Sequence, residues 1–162
     1  MGKTTALRRA ADALSDLKIR GFITGDIREG RERVGFRLQT FDGDEAVLAQ
    51  VNIRSPHRVG RYGVDLTALD RIAADQLSGR GADVVFVDEI GKMETLSKTF
   101  VEKVEALLDS PTLVVATVGL RGEGFIEKVK QRRDIFLWKL TRANRDHMPG
   151  EIAAWVRERV GA

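Results

Sequence analysis

The sequence contains no cysteine. That absence excludes disulfides, a catalytic thiol and any Cys-ligated metal, and it fits a cytoplasmic protein. Histidine is nearly absent too: His57 and His147 stand far apart and form no zinc pattern. There is no apolar run long enough to span a membrane, and no basic segment leading into an apolar signal core. The Met-Gly start invites myristoylation, but the required sixth-position hydroxyl residue is Ala6. Neither sign of charge dominates: 27 basic against 24 acidic residues leave a formal net charge of +3. With the two signs interspersed, nucleic acid is not an expected partner. We find no repeat, low-complexity stretch or linker, so 162 residues, 43% of them apolar, are expected to form one domain, 1–162, with a sizeable core.

What is present is organised around Val84-Val85-Phe86-Val87-Asp88-Glu89-Ile90-Gly91-Lys92-Met93-Glu94. Four consecutive apolar residues read as a strand buried on both faces, the pattern of a parallel sheet between helix layers. Ionised carboxylates beside such a run are costly unless they emerge at the sheet edge to meet a cation or ligand. An apolar strand ending in Asp-Glu is the Walker B arrangement of P-loop NTPases, with the Asp near Mg²⁺ and the Glu placed to polarise a water.

The N-terminus supplies a matching fragment. Gly2-Lys3-Thr4-Thr5 opens into a helical stripe of Leu7, Ala10, Ala11, Leu14 and Leu17. This is the second half of a P-loop, in which Lys reaches the terminal phosphates and the next hydroxyl coordinates Mg²⁺. The first half, a strand and a further upstream glycine, is not in the chain.

Between these two sites we expect a strand over Gly21–Ile27, then a hairpin of Val34–Phe41 with Ala46–Val51. A basic loop follows over Asn52–Gly60. A helix carrying Leu66, Leu69, Ile72, Ala73 and Leu77 leads into the Walker B strand, capped by Asp65 or Thr67. Ser97 caps the next helix, and Thr112–Thr117 forms another parallel strand whose terminal hydroxyl could contact phosphate or water. A short helix passes through Ile126 and Val129. Ile135–Leu140 reads as a last strand, with Trp138 as core, and Pro149 opens a final helix that includes Trp155.

Taken together, these residues resemble the thermophile-type and cancer-related nucleoside-triphosphatases over essentially the whole chain. The resemblance is carried by Gly2-Lys3-Thr4-Thr5, Gly21-Phe22-Ile23-Thr24 with Arg28, Arg33-Val34-Gly35-Phe36, Val59-Gly60-Arg61-Tyr62, Asp88 to Glu94, and Thr141 with Asn144-Arg145. Asp88–Glu94 is the most specific of these. Asp26 departs from the pattern, since the family usually has Glu there.

The resemblance implies an α/β, three-layer, RecA-like P-loop domain with a mostly parallel sheet and an antiparallel hairpin. It implies Mg²⁺-dependent hydrolysis of several NTPs to the diphosphates; ATP, GTP, CTP and UTP are the expected substrates and a monomer the expected state. Gly2, Lys3, Thr4 and Thr5 would bind phosphate, and Asn144 and Arg145 the base or ribose. Thr4 and Asp88 would ligate Mg²⁺, and Glu89, Lys3 and Lys92 would be catalytic. One arginine among Arg28, Arg33, Arg58, Arg61, Arg142 and Arg145 would neutralise the transferring phosphoryl. Two other readings stand beside this one: a nucleotide or small-molecule kinase, and a non-catalytic nucleotide-binding module.

Family members commonly carry Val before Gly-Lys-Thr-Thr, and the Val codon GTG can serve as a start codon read as Met. Met1 is therefore expected to mark a start-site choice, with an apolar strand and a Gly-rich loop encoded upstream. The genomic DNA tests this directly. An in-frame stop within about ten codons upstream, too few for the strand and loop of a P-loop, would refute it.

Overall fold

The computed structural model describes residues 2–161; Met1, and with it the expectation about the start site, lies outside that range. The elements, in order, are α1 (Lys3–Asp12), β1 (Ile19–Glu29), β2 (Glu32–Thr40), β3 (Glu45–Gln50), β4 (Arg58–Val59), β5 (Tyr62–Val64), α2 (Leu66–Gln76), β6 (Val84–Ile90), α3 (Lys98–Leu108), β7 (Leu113–Val118), α4 (Phe125–Lys130) and α5 (Met148–Val160). A 3₁₀ turn over Glu94–Leu96 separates β6 from α3.

One sheet, ordered β4-β5-β3-β2-β1-β6-β7, carries helices on both faces, as the α/β reading requires. The alternation of a strand explains why β6 is apolar throughout. Val85 and Val87 point to the face covered by α2 and α3, where they pack with Leu69, Ile72, Phe100 and Val104. Val84 and Phe86 point to the other face, against Leu7 of α1, Leu14 just beyond it, and Ile152 and Val156 of α5. All four strand residues are 0% exposed. At about 1.5–3 kcal/mol each, their burial is comparable with the roughly 5–15 kcal/mol net stability of a whole domain.

The sheet is mixed rather than mostly parallel. Only β1–β6 and β6–β7 are parallel pairs among the described residues; β1–β2, β2–β3, β3–β5 and β4–β5 are antiparallel. Local alternation marks a strand but not its direction. The tight turn at Gly30 (φ +61°) folds β2 back on β1, and the short β4–β5 pair turns at Gly60 (φ +57°) inside and just beyond the expected loop. β1 joins the two halves. Its first residues pair with β6 from Ile19 to Phe22, and it pairs with β2 from Phe22 to Glu29. Gly21 allows that crossing, since a Cβ there would fall 1.8 Å from the Phe86 carbonyl oxygen at a φ of +105°.

Ile135–Leu140 has no regular secondary structure and joins no ladder, contrary to the expected last strand. A groove of about 450 Å³ lies between it and β7, lined by Val115 of β7, Leu7 of α1, and Met148 and Ile152 of α5. Without an adjacent strand there is nothing for its amides to pair with. Its apolar residues are divided: Trp138 and Leu140 pack on the α1–α5 layer, while Phe136 and Leu137 stay 68% and 58% exposed. Trp138 meets Trp155 edge-on, ring centroids 5.8 Å apart.

β6 has a partner on each side and β7 on only one. Native-state amide exchange should therefore find Phe86 and Val87 among the slowest amides. The β7 amides facing the groove should exchange at least roughly 100-fold faster, because edge groups open without global unfolding. Equal protection along both strands would mean that β7 is covered in solution.

Candidate active site

The C-terminal end of β6 delivers Asp88 and Glu89 to a cleft of about 450 Å³. The N-terminus of α1 forms one wall, and the ends of β1 and β7 stand on either side. Ligands of open α/β sheets bind at this edge. The α1–β7 groove has a similar volume but a mostly apolar lining, whereas the cleft gathers Lys3, Asp26, Arg33, Asp88, Glu89, Lys92, Glu94 and Arg121, which makes it the candidate site.

Asp88 is 3% exposed yet fully satisfied. The Thr4 hydroxyl donates to its Oδ2 at 2.6 Å, the Thr24 backbone N–H to the same oxygen at 3.2 Å, and the Thr117 hydroxyl to Oδ1 at 2.7 Å. The Thr24 hydroxyl also donates to the Asp88 carbonyl. Buried carboxylates need such donors. Thr117 thus acts on the carboxylate, not on phosphate or water in the free state. Thr24 was legible only as a hydroxyl near a strand end.

Lys3 Nζ donates to Glu89 Oε2 at 2.6 Å and to the Val118 carbonyl at 3.2 Å. Both side chains are about one-third exposed, 37% and 33%. The pair is open to a ligand that could compete for either partner. Lys92 also lines the cleft, from the exposed turn after β6.

Of the six candidate arginines only Arg33 lines the cleft. Its guanidinium lies 4.7 Å from the centroid of the Phe36 ring, another cleft residue. Arg61 is engaged with Glu32 at 2.7 Å and with the Arg33 carbonyl, and Arg58 with the carbonyls of Ile53 and Arg61. Arg28 pairs with Asp26 at 3.0 Å. Arg121, on the loop after β7, is a second arginine of the cleft.

Gly2, with φ +90°, occupies the N-cap position of α1, and Thr5 is exposed on that helix outside the cleft lining. Asn144 and Arg145 also lie outside it. Asn144 orders its own turn, donating to the Lys139 carbonyl at 2.8 Å and accepting from the Thr141 N–H at 2.7 Å. The segment does approach α1, since Leu140 lies 3.6 Å from where a Gly2 Cβ would be.

Glu94, the last residue of the Asp88–Glu94 run, lies in the cleft at a depth that the sequence does not signal. It is 4% exposed, and burial pushes its carboxyl up to about 8, with the charges of Glu89 and Asp88 adding to the rise and the backbone N–H groups of Glu94 and Glu89 opposing it. No ion pair reaches it among the described residues. Nothing local distinguishes it from an ordinary solvated glutamate before a helix.

Hard oxygen donors are what Mg²⁺ selects, and it is commonly held by one or two carboxylates together with substrate phosphates and waters. Thr4 and Asp88, already in contact, fit that pattern. Among the described residues there is no cluster of three or more His, Cys, Asp or Glu that could hold a metal by itself.

The NTPase family model matches residues 1–153. Nucleoside-triphosphatase THEP1 of Thermotoga maritima is 40% identical over 154 residues, covering 94% of this chain and 87% of its own. The cancer-related nucleoside-triphosphatase of Homo sapiens is 34% identical over 174 residues, covering 97% and 92%. Among solved structures, the crystal structure of THEP1 from Aquifex aeolicus superposes with a TM-score of 0.88 at 30% identity, covering 96% and 93% of the two chains. The solution structure of a human cancer-related nucleoside triphosphatase gives 0.82 at 33% identity, covering 98% and 93%.

The environment of Glu94 predicts an unusual pH dependence. Its folded value of about 8 lies above the ordinary 4.5, so between those pH values the folded chain holds a proton that the unfolded chain has released. Its contribution to stability is complete below pH 4.5 and is lost as pH rises towards 8. Glu94→Gln should therefore be more stable than the parent at pH 8 by roughly 4 kcal/mol, or about 10 °C in Tm. The advantage should vanish near pH 4.5. Thermal melts at both pH values check this, and an equal loss of stability at each would contradict the assignment.

Proposed function

The chain belongs to the nucleoside-triphosphatase family, and from that premise we propose that this cleft hydrolyses NTPs to NDPs and phosphate with Mg²⁺ and broad tolerance of the base. The observation that carries the proposal is the convergence of Lys3, Thr4, Asp88 and Glu89 from two segments about 85 residues apart in the chain. Thr4 and Asp88 would hold Mg²⁺, which would neutralise phosphate charge when bound.

The Lys3–Glu89 pair supports a defined order of events. In the free protein each charge neutralises the other. An incoming triphosphate offers Lys3 a stronger anion, and as the ammonium turns to phosphate it releases the Glu89 carboxylate. Glu89 then accepts a hydrogen bond from a water facing the γ-phosphorus. As the water oxygen bonds to phosphorus, the bridging P–O bond to the diphosphate breaks, and the water proton passes to Glu89. Arg33, Arg121 and Lys92 border the cleft, where cations can stabilise charge on the transferring group. Asn144 and Arg145 remain the candidates for a ribose or base contact.

Glu89→Gln keeps the shape but removes the proton acceptor. Its kcat should fall by about 100- to 10,000-fold while Mg²⁺-NTP still binds. Phosphate release with no acceptor present distinguishes hydrolysis from kinase transfer, and ATP, GTP, CTP and UTP should turn over within about 100-fold of one another, the equivalent of roughly 2.7 kcal/mol. Hydrolysis by Glu89→Gln within a few-fold of the parent would remove Glu89 from this role.

A further inference from the structure

We propose that Glu94 is a positioning residue for Glu89, and that its buried carboxyl takes hold of the Glu89 carboxylate when Lys3 leaves it for phosphate. The inference rests on the triphosphatase reading of the cleft. Lys3 is the only side chain bonded to Glu89 among the described residues. Substrate binding removes that partner at the moment when Glu89 must be held still, because a misdirected base loses much of its effect.

Glu94 is the group placed to replace it. Gly91 lies between the two acids, and a Cβ built on it would fall 2.9 Å from Glu89 Oε1 and 3.1 Å from Glu94 Oε1. The two oxygens are thus no more than about 6 Å apart, a gap that a small side-chain rotation or one bridging water closes. Glycine leaves this passage open. The Glu94 carboxyl meets the backbone N–H groups of Glu94 and Glu89, both donors, and no side chain among the described residues bonds to it, so its own O–H has no acceptor committed to it. A buried acid without a charged partner is costly, and an apolar side chain would fill the same space more cheaply. A neutral carboxyl facing an ionised one can donate a short, charge-assisted hydrogen bond.

The charged groups around Glu94 are consistent with this role. Glu89 and Asp88 act on it from the end of β6, and Lys3, Lys92, Arg33 and Arg121 border the same cleft. None of those cations is bonded to Glu94, which therefore keeps its proton at neutral pH.

Two variants separate positioning from packing. Glu94→Gln preserves a donor at the same reach, whereas Glu94→Leu preserves volume without a donor. Glu94→Gln should keep kcat within about threefold of the parent, whereas Glu94→Leu should lower it by roughly 10- to 100-fold with KM little changed, the pattern of a group that aligns the base without holding the nucleotide. Equal effects of the two variants, or full turnover by Glu94→Leu, would overturn the assignment. A second measurement needs no turnover: a crystal structure of Lys3→Met, in which Glu89 has lost its cation. There the carboxyl oxygens of Glu89 and Glu94 should approach to about 2.5–2.7 Å. A Glu89 side chain turned to solvent, with no contact between the two carboxyls, refutes the proposal. If the parent hydrolyses no NTP, the triphosphatase reading fails and the Lys3→Met geometry alone decides the question.

Discussion

The structure depends on the way Asp88 is held. A carboxylate that is 3% exposed at the end of an apolar strand would be untenable alone, and three threonines from three elements make it possible. Thr4 comes from α1, Thr24 from β1 and Thr117 from β7, at sequence separations of 84, 64 and 29 residues. The bonds that satisfy the charge therefore also fix the helix start and the flanking strand ends relative to β6. Loss of one donor would leave a buried charge underbonded, at about 1–3 kcal/mol or more. Folding and site assembly are one event here.

Around that fixed point the remaining charges are exchangeable. Lys3 and Glu89 are partly exposed and neutralise one another, so their pairing adds little to stability after solvent screening. Its importance lies in being breakable. Arg33 stands on the antiparallel half of the sheet and Arg121 on the loop after β7, so the cleft is bordered by cations carried on opposite sides of β6.

Much of this was legible in the residues. The helix stripe after Gly2, the Val84–Val87 run and the Asp65 and Ser97 caps each carry a local physical signal, and the caps form as expected, with Asp65 accepting from Ala68 N–H and Ser97 from Phe100 N–H. What failed was non-local. Ile135–Leu140 has the right composition for a strand, but a strand exists only beside another. Strand direction in β1–β5 depends on turns at Gly30 and Gly60 rather than on apolar pattern. The depth of Glu94 comes from the turn that folds it back over Gly91, and no period in the sequence reports it. Among the candidate arginines charge is identical, so only position in the fold could separate Arg33 from Arg61.

The groove beside β7 has a consequence for how the protein behaves in a tube. An edge strand with apolar neighbours offers its free N–H and C=O groups to any extended chain, including another copy of itself. What opposes such contact is mutual repulsion, and a net charge of +3 is a modest one that falls to zero near pH 9.4. Colloidal stability should accordingly be poorest in mildly alkaline, concentrated solution. Dilute, slightly acidic buffer is the natural regime for handling this molecule.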